Sequence, residues 1–299
     1  MTTPLLSILA MPKPFRGHIG VIQRNAITSW TKLSPRPKIF LFGEEEGTAQ
    51  IAAQLRLTHL HDIQRNEFGT PLLSDLIKRA KEVTDTELLC YSNSDIILLP
   101  AFHHAIGAMS EKFHRFLGIT HRWEIDLKAE LDFSGGQPLE LRALPPGVPG
   151  HHTAIDVFVF PRDVYADVPA LAIGRAWFDQ WLIKDALLGE IPVVDMTNVA
   201  RAIHQRHEYG HIAGGQQGAY AGEEARRNLE IYGGVPHAYT LLNVTHELLG
   251  NGAIRAVRYR REKVQVQQWF WRNFVKRTAA VRKRLGLNRS FGKPGRHET

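Results

Sequence analysis

Residues 87–100 read ELLCYSNSDIILLP. A short apolar run from Leu88 to Tyr91 meets the polar triplet Asn93-Ser94-Asp95, and apolar residues resume at Ile96. The run has the length and character of a β-strand. In open α/β sheets, ligands bind beyond the carboxyl ends of the strands, which is where the triplet falls. Asn93, Ser94 and Asp95 supply oxygens that suit a divalent cation and a phosphate-bearing ligand. Asn and Asp at such a place are also ordinary turn formers.

The same alternation recurs on both sides. LLSILA (5–10), KIFLF (38–42), THLHDI (58–63), RFLGITH (115–121) and AIDVFVFP (154–161) are expected strands. Between them, HIGVIQRNAITSWTKL (18–33), GTAQIAAQLRL (47–57) and PLLSDLIKRAKEV (71–83) carry helical spacing. Pro71 stands at the expected start of the last of these. GRAWFDQWLIKDAL (174–187) is expected to be a further helix. Strands alternating with helices imply an α/β fold with an open, mostly parallel sheet flanked by helices. Residues 132–152, DFSGGQPLELRALPPGVPGHH, are rich in Gly and Pro and are expected to form a loop or lid.

Candidate ligand groups lie at the ends of these elements. In RNEFGTP (65–71), Gly69 permits a close backbone approach, and Thr70 precedes helical N–H groups that suit an anion or a polar base edge. In LFGEEEGTA (41–49), Glu44 is expected to reach a ribose hydroxyl, and Glu45 and Glu46 to be solvated charges favouring the helix N-terminus. Arg122 in GITHRWEID can neutralise a phosphate, and Trp123 either stacks on a sugar or base or fills core. Asp179 lies beside the apolar set Trp177, Trp181 and Ile183. There desolvation would raise its pKa toward general-base duty.

AIHQRHEYGH (202–211) contains His207-Glu208-x-x-His211, formally the zinc-peptidase pattern H-E-x-x-H. That chemistry needs a third ligand, and the extended pattern would place it at Gln217. No methionine follows Met196 to supply the methionine turn. The Gly-rich IAGGQQGAYAG would break any helix leading to Glu223 or Glu224. Three histidines, His204, His207 and His211, remain to be explained.

The 299 residues are 43% hydrophobic and 22% charged, ordinary for a globular chain. The N-terminal apolar run is too short for a signal peptide, and no uncharged stretch approaches eighteen residues, so a cytoplasmic protein is expected. Cys90 is the single cysteine and is expected in the core. From Arg255 onward there are fourteen Lys and Arg against two Glu, a balance of +12. The preceding 254 residues therefore carry −5 of the chain's +7. Residues 1–252 are expected to form one domain and 253–299 a basic, aromatic, amphipathic C-terminal helix. Such a helix packs on its own domain or lies on an anionic membrane surface, giving peripheral attachment at the inner face. Nucleic-acid binding is not expected, because the basic residues are confined to the tail.

Taken in order, QRNAITSW, FLFGEEEG, RNEFGTPLL, LLCYSNSDIILL, DVFVFPR, IGRAWFDQWL and VVDMTNVARAIHQRHEYGH resemble the GT-A type nucleotide-diphospho-sugar glycosyltransferases over residues 5–250. The motifs are specific in combination. The resemblance implies that Arg24, Glu44, Asn66, Gly69, Thr70, Asn93, Ser94 and Arg122 face a nucleotide-diphosphate sugar. It implies that Asp95, His207 and His204 hold a divalent metal, Mn or Mg. Asp179 would be the base for a hydroxyl acceptor on a glycan or lipid-linked molecule. The family's Asp-x-Asp reads Asn93-Ser94-Asp95 here, which removes one carboxylate. A zinc metallopeptidase and a non-catalytic nucleotide-sugar binding protein are the alternatives.

Overall fold

The computed structural model describes residues 6–135, 141, 150–207, 215–234 and 238–257. The chain divides into two units, Met1–Val257 and Arg258–Thr299. The expected C-terminal helix lies almost wholly outside the described residues, as do Glu208, His211 and most of the 132–152 loop. Among the described residues, no helix is long and apolar enough to cross a membrane.

The first unit is an α/β layered structure. Strands β1 (Leu6–Ala10), β2 (Lys38–Phe42), β3 (Thr58–Leu60) and β4 (Leu88–Ser92) form a parallel set in the order β4-β1-β2-β3. Helices α1 (Gly17–Thr31), α2 (Thr48–Leu55) and α3 (Leu73–Val83) make the crossovers. β1 shows why the sheet lies inside: Leu6, Ile8 and Ala10 join one core cluster, with Ala26, Ile27 and Trp30 of α1. Leu9 joins the cluster on the opposite face, with Leu73, Leu76 and Ile77 of α3. Both faces bury apolar side chains, so the strands read as apolar runs with little alternation.

Beyond β4 the order continues β7 (Ile155–Pro161), β6 (Leu117–Ile125), β8 (Val193–Asp195), β10 (His246–Leu248) and β11 (Ile254–Ala256). β7 runs antiparallel to both β4 and β6, which makes it the one inner strand of reversed direction among the described strands, in an otherwise mostly parallel arrangement. β5 (Ile96–Leu98) and β9 (Ala202–Gln205) pair antiparallel with each other, and β9 lies parallel to β6. Helices α4 (Ala101–Lys112) and α5 (Phe178–Leu188) cover the two faces, followed by α6 (Gly215–Ala221) and α7 (Glu223–Tyr232).

Two elements differ from the sequence expectation. The helix expected at 174 begins at Phe178, because Trp177 takes a left-handed backbone with φ 79°. β6 does not stop at His121 but continues through Arg122 and Glu124, whose side chains face polar partners. Phe133 and Leu141, from the expected loop, pack with Ile97 and Ile203 on the β5–β9 pair.

Buried hydrogen bonds lock β5 and β9 against α1. Trp30 Nε1 donates to Ile96 O at 2.8 Å, and Leu98 N donates to Ser29 Oγ at 3.1 Å. Gln205 Nε2 donates to Ile22 O and to Asp95 O, while its Oε1 accepts from Asn25 Nδ2. Trp30→Phe keeps most of the ring volume but strips Ile96 O of this donor. We expect a loss of about 1–3 kcal/mol, measured by urea unfolding; an unchanged midpoint would mean the bond contributes nothing to anchoring β5.

Candidate active site

A cleft of about 660 Å3 opens at the carboxyl ends of β1 and β4. The turn Asn93–Asp95 forms its floor, the segment Met11–Pro14 one wall, and the start of α5 another. Nine buried side-chain N or O atoms lack a hydrogen-bond partner among the described residues. Four of them, Glu45 Oε2, Ser94 Oγ, Asp95 Oδ1 and Gln180 Oε1, belong to residues lining this one cleft. Buried polar atoms are normally satisfied, so this concentration singles out the cleft as a place where water or a ligand can complete the bonding.

At one end, three side chains converge. His207 Nε2 lies 2.9 Å from Asp95 Oδ2, and His204 Nε2 lies 3.9 Å from the same oxygen. The ligand atoms of Asp95, His204 and His207 all fall within 4.8 Å of one another. His204 is placed by register: on β9 it sits between Ile96 of β5 and Glu124 of β6. Its Nδ1 meets Glu124 Oε2 at 2.9 Å, which turns Nε2 toward Asp95. A carboxylate behind a histidine is a common support for a metal ligand. The bare, buried Asp95 Oδ1 and the two convergent imidazoles fit a divalent cation.

The charges follow from this packing. Burial opposes ionisation of Asp95, but the His207 hydrogen bond and the charges of His204 and Lys13 outweigh it, and its carboxyl stays well below the usual range. Burial likewise opposes the Glu124 carboxylate, yet His204 and Arg122 hold it at about 2. For His204, desolvation would lower the pKa; Glu124, Asp95 and Asp156 reverse this and raise it.

A second set of bonds crosses the floor. Tyr91 Oη donates to Asn93 Oδ1 at 3.0 Å, and Asn93 Nδ2 donates to Asp156 Oδ1 at 2.7 Å. Arg122 donates to Asp156 Oδ2 at 3.0 Å and to Glu124 Oε1 at 2.8 Å. Asn93 therefore donates and accepts at once, which a carboxylate cannot do. An Asp here would face the Asp156 carboxylate directly. This explains the amide in the triplet, and it leaves Asp95 as the only carboxylate of Asn93-Ser94-Asp95.

At the other end stands Asp179, in the first turn of α5. Desolvation and then the nearby Asp156 charge push its pKa up to about 7, against backbone hydrogen bonds that pull it down. Arg175, from the segment before α5, donates to Glu224 Oε2 and to Thr70 Oγ1.

Of the site residues expected from sequence, Gly69, Thr70, Asn93, Ser94, Asp95, Arg122, Asp179, His204 and His207 line this cleft. Three do not. Arg24 pairs with Glu130 at 2.5 Å. Glu44 is exposed, and its neighbour Glu45 takes the lining position with Arg65 on its Oε1. Asn66 instead braces the loop, bonding Glu224 and the N–H groups of Phe68 and Thr70. Trp123 lies outside the cleft, with the Arg201 guanidinium 4.9 Å from its ring centre. Lys13, Glu45, Asp156, Arg175 and Gln180 line it without having been expected. Asp156 carried a usable signal, a lone acid inside the apolar strand AIDVFVFP. His207 follows the strand β9 and lies on no described helix, and the rest of the zinc-peptidase pattern, Glu208 and His211, lies outside the described residues.

No protein-family model matches the chain, and no curated protein matches it. Among solved structures it is similar to TarS 1–349 from S. aureus in complex with UDP-GlcNAc, at 13% identity over 76% of this chain and 65% of that one, TM-score 0.48. It is also similar to glucosyl-3-phosphoglycerate synthase from Mycobacterium tuberculosis with Mn2+, UDP and phosphoglyceric acid (15%, 78% and 80%, TM-score 0.48). A third is the mannosyltransferase PcManGT from Pyrobaculum calidifontis with GDP-Man and Mn2+ (10%, 70% and 59%, TM-score 0.45). The chain spans less than two thirds of the TarS fragment and of PcManGT. These likenesses are distant.

The raised Asp179 pKa has a consequence for stability. Its ordinary value is 3.8 and its folded value about 7, so the unfolded chain gives up this proton at lower pH. The contribution is intact below pH ~4 and is lost as pH rises through ~7. Asp179→Asn cannot ionise. We expect it to melt above wild type at pH 8 and to lose that advantage at pH 4.5, followed by circular dichroism; the reverse order would place an ionised, stabilised carboxylate in the fold.

Proposed function

We propose that the protein is a glycosyltransferase that moves a sugar from a nucleotide-diphosphate donor to a hydroxyl acceptor. The observation that carries this reading is the opposite fate of two carboxyls in one cleft. Asp95 is held ionised beside two histidines, and Asp179 is lifted to about 7. One suits a cation and an anionic leaving group, the other a proton transfer near neutral pH.

In the proposed reaction the acceptor oxygen bonds to the anomeric carbon of the sugar. The bond from that carbon to the diphosphate oxygen breaks, and its electron pair leaves with the diphosphate. Asp179 takes the acceptor proton on its carboxylate. Asp95, His204 and His207 would hold a divalent metal, Mn or Mg, which when bound would supply positive charge against the departing diphosphate. Asp156 keeps Asp179 from ionising too early and anchors Arg122. Gly69, Thr70, Ser94 and Glu45 are proposed to face the nucleotide portion, with Ser94 Oγ and Glu45 Oε2 as the partnerless polar atoms it would satisfy.

The acceptor is proposed to be uncharged where it enters. Each arginine lining the cleft is tied to a carboxylate: Arg65 to Glu45, Arg122 to Asp156 and Glu124, Arg175 to Glu224. Phe68 and Tyr220 also line the cleft and are 49% and 56% exposed, offering flat apolar surface to a sugar ring. A glycan or a lipid-linked glycan meets both conditions. Residues 253–299, with their basic, aromatic pattern, are proposed to attach the chain to an anionic membrane surface that carries such an acceptor, from the cytoplasmic side.

Thermal shift with UDP, GDP and ADP and their sugars, each with and without Mn2+ or Mg2+, tests the donor. We expect one nucleotide to raise Tm, more so with metal, and Asp95→Ala to lose the metal increment. A shift with zinc alone and with no nucleotide would overturn the reading. With the donor known, Asp179→Asn is expected to bind it as wild type does while transfer falls at least ~100-fold, and wild-type kcat/KM to rise with pH through about 7. Transfer undiminished in Asp179→Asn would remove Asp179 as the base. Flotation on phosphatidylserine vesicles, comparing the full chain with one ending at Val257, is expected to retain only the full chain; equal retention would remove the membrane surface.

A further inference from the structure

The cleft holds a cation of its own. Lys13 lies in MPKPF (11–15), between two prolines, and its backbone is clamped on both sides. Lys13 N donates to Gln23 Oε1 at 2.6 Å, and Gln23 Nε2 donates to Lys13 O at 2.7 Å. Gln23 is itself almost wholly buried on α1. Proline fixes φ on each side, and the buried amide fixes the peptide between, so the segment is built to hold this residue. Its ammonium points into the metal-capable cluster. Lys13 Nζ stands 3.5 Å from His207 Nε2 and 3.9 Å from Asp95 Oδ2. That is near enough for charge to act and too long for a tight ion pair with Asp95.

Resting on the transferase reading, we propose that Lys13 is the resident counter-ion of the Asp95, His204 and His207 cluster. It opposes a divalent cation there until a nucleotide diphosphate draws its ammonium onto a phosphate oxygen. Two cations about 4 Å apart repel strongly inside a protein, where the effective dielectric constant is far below that of water. Metal alone must therefore enter against Lys13. A diphosphate in the cleft removes the conflict, because its oxygens accept from the lysine and attract the metal at the same time. Metal and donor then help each other to bind, and by linkage each raises the other's affinity by the same factor. The arrangement would keep the cluster from loading adventitious metal in the absence of donor. Lys13 is a binding residue in this scheme and takes no proton from substrate; Gln23 is its positioning residue.

The test uses the full chain and Mn2+ binding followed by electron paramagnetic resonance, first with no nucleotide. Lys13→Met removes the charge and keeps most of the stem. We expect it to bind Mn2+ alone at least about tenfold more tightly than wild type, as expected from removing a like charge at this range. Lys13→Arg keeps the charge and is expected to bind Mn2+ as weakly as wild type. Lys13→Gln serves where Lys13→Met does not fold. An Mn2+ affinity in the neutral variants equal to or weaker than wild type overturns the proposal.

The second arm repeats the titration with saturating UDP, GDP or ADP. Wild type is expected to gain Mn2+ affinity on adding nucleotide and Lys13→Met to gain much less; equal gains in both would also overturn it. If none of UDP, GDP and ADP binds wild type at all, the transferase reading fails instead, and the nucleotide-free comparison still decides whether Lys13 guards the cluster.

Discussion

A carboxylate buried at the carboxyl end of a sheet, with one oxygen bonded and the other bare, must be compensated by nearby cations. Asp95 is in that position, and much of the surrounding structure reads as its compensation. β9 delivers His204 beside it, and the chain just beyond β9 delivers His207. Gln205, from the same strand, donates to the Asp95 carbonyl and ties it to α1. Glu124 orients His204, and Arg122 in turn neutralises Glu124 and Asp156. Removing any one partner would leave a buried charge exposed to the others. The β5–β9 pair, which is off the main path of the sheet, has a structural purpose in this light: it brings a second row of side chains up to the floor of the cleft.

The same network separates two acids that would otherwise behave alike. Asp95 and Asp179 line one cavity, but cationic partners gather at Asp95, whereas Asp179 has apolar neighbours and the negative charge of Asp156. The backbone contributes too. Trp177 ends its segment in a left-handed turn, so Asp179 falls in the first turn of α5 rather than in mid-helix. There backbone hydrogen bonds moderate a rise that burial alone would make larger.

The sequence displays the α/β alternation because both faces of the inner strands are buried, and such strands announce themselves as apolar runs. It also displays the ends of strands where polar residues collect, and most of the expected cleft residues lie there. Strand direction is not written in a single run, so the reversal of β7 was invisible in AIDVFVFP. The extension of β6 was hidden for a related reason: Arg122 and Glu124 look like loop residues until a polar cleft is placed against that end of the strand. Glu44 and Glu45 differ by one position, and which of them faces inward depends on the left-handed turns at Gly43 and Gly47, φ 92° and 87°. Asn66 has the composition of a ligand and the job of a loop brace. Lys13 stands between two prolines, but that local pattern does not show its partners; Gln23, His207 and Asp95 reach it only through the fold.

The replacement of an expected carboxylate by Asn93 changes meaning once the network is known. Read along the chain, it subtracts a metal ligand. In the folded cleft, Asn93 is the joint between Tyr91 and Asp156, a place that requires one donor and one acceptor on the same side chain. With an aspartate there, two carboxylates would meet at hydrogen-bonding distance, and Asp156 would lose the partner that leaves its second oxygen to Arg122. Asp156, bonded to Asn93 from the neighbouring strand β7, carries a negative charge that acts at both ends of the cleft, raising the pKa of His204 and of Asp179. A cluster of one carboxylate and two imidazoles binds a divalent cation less tightly than one with an added carboxylate, and a lysine beside it weakens it further. On the proposed reading, the binding energy that the cluster lacks by itself would come from the anionic ligand, so that recognition of the donor and capture of the metal would be parts of one event.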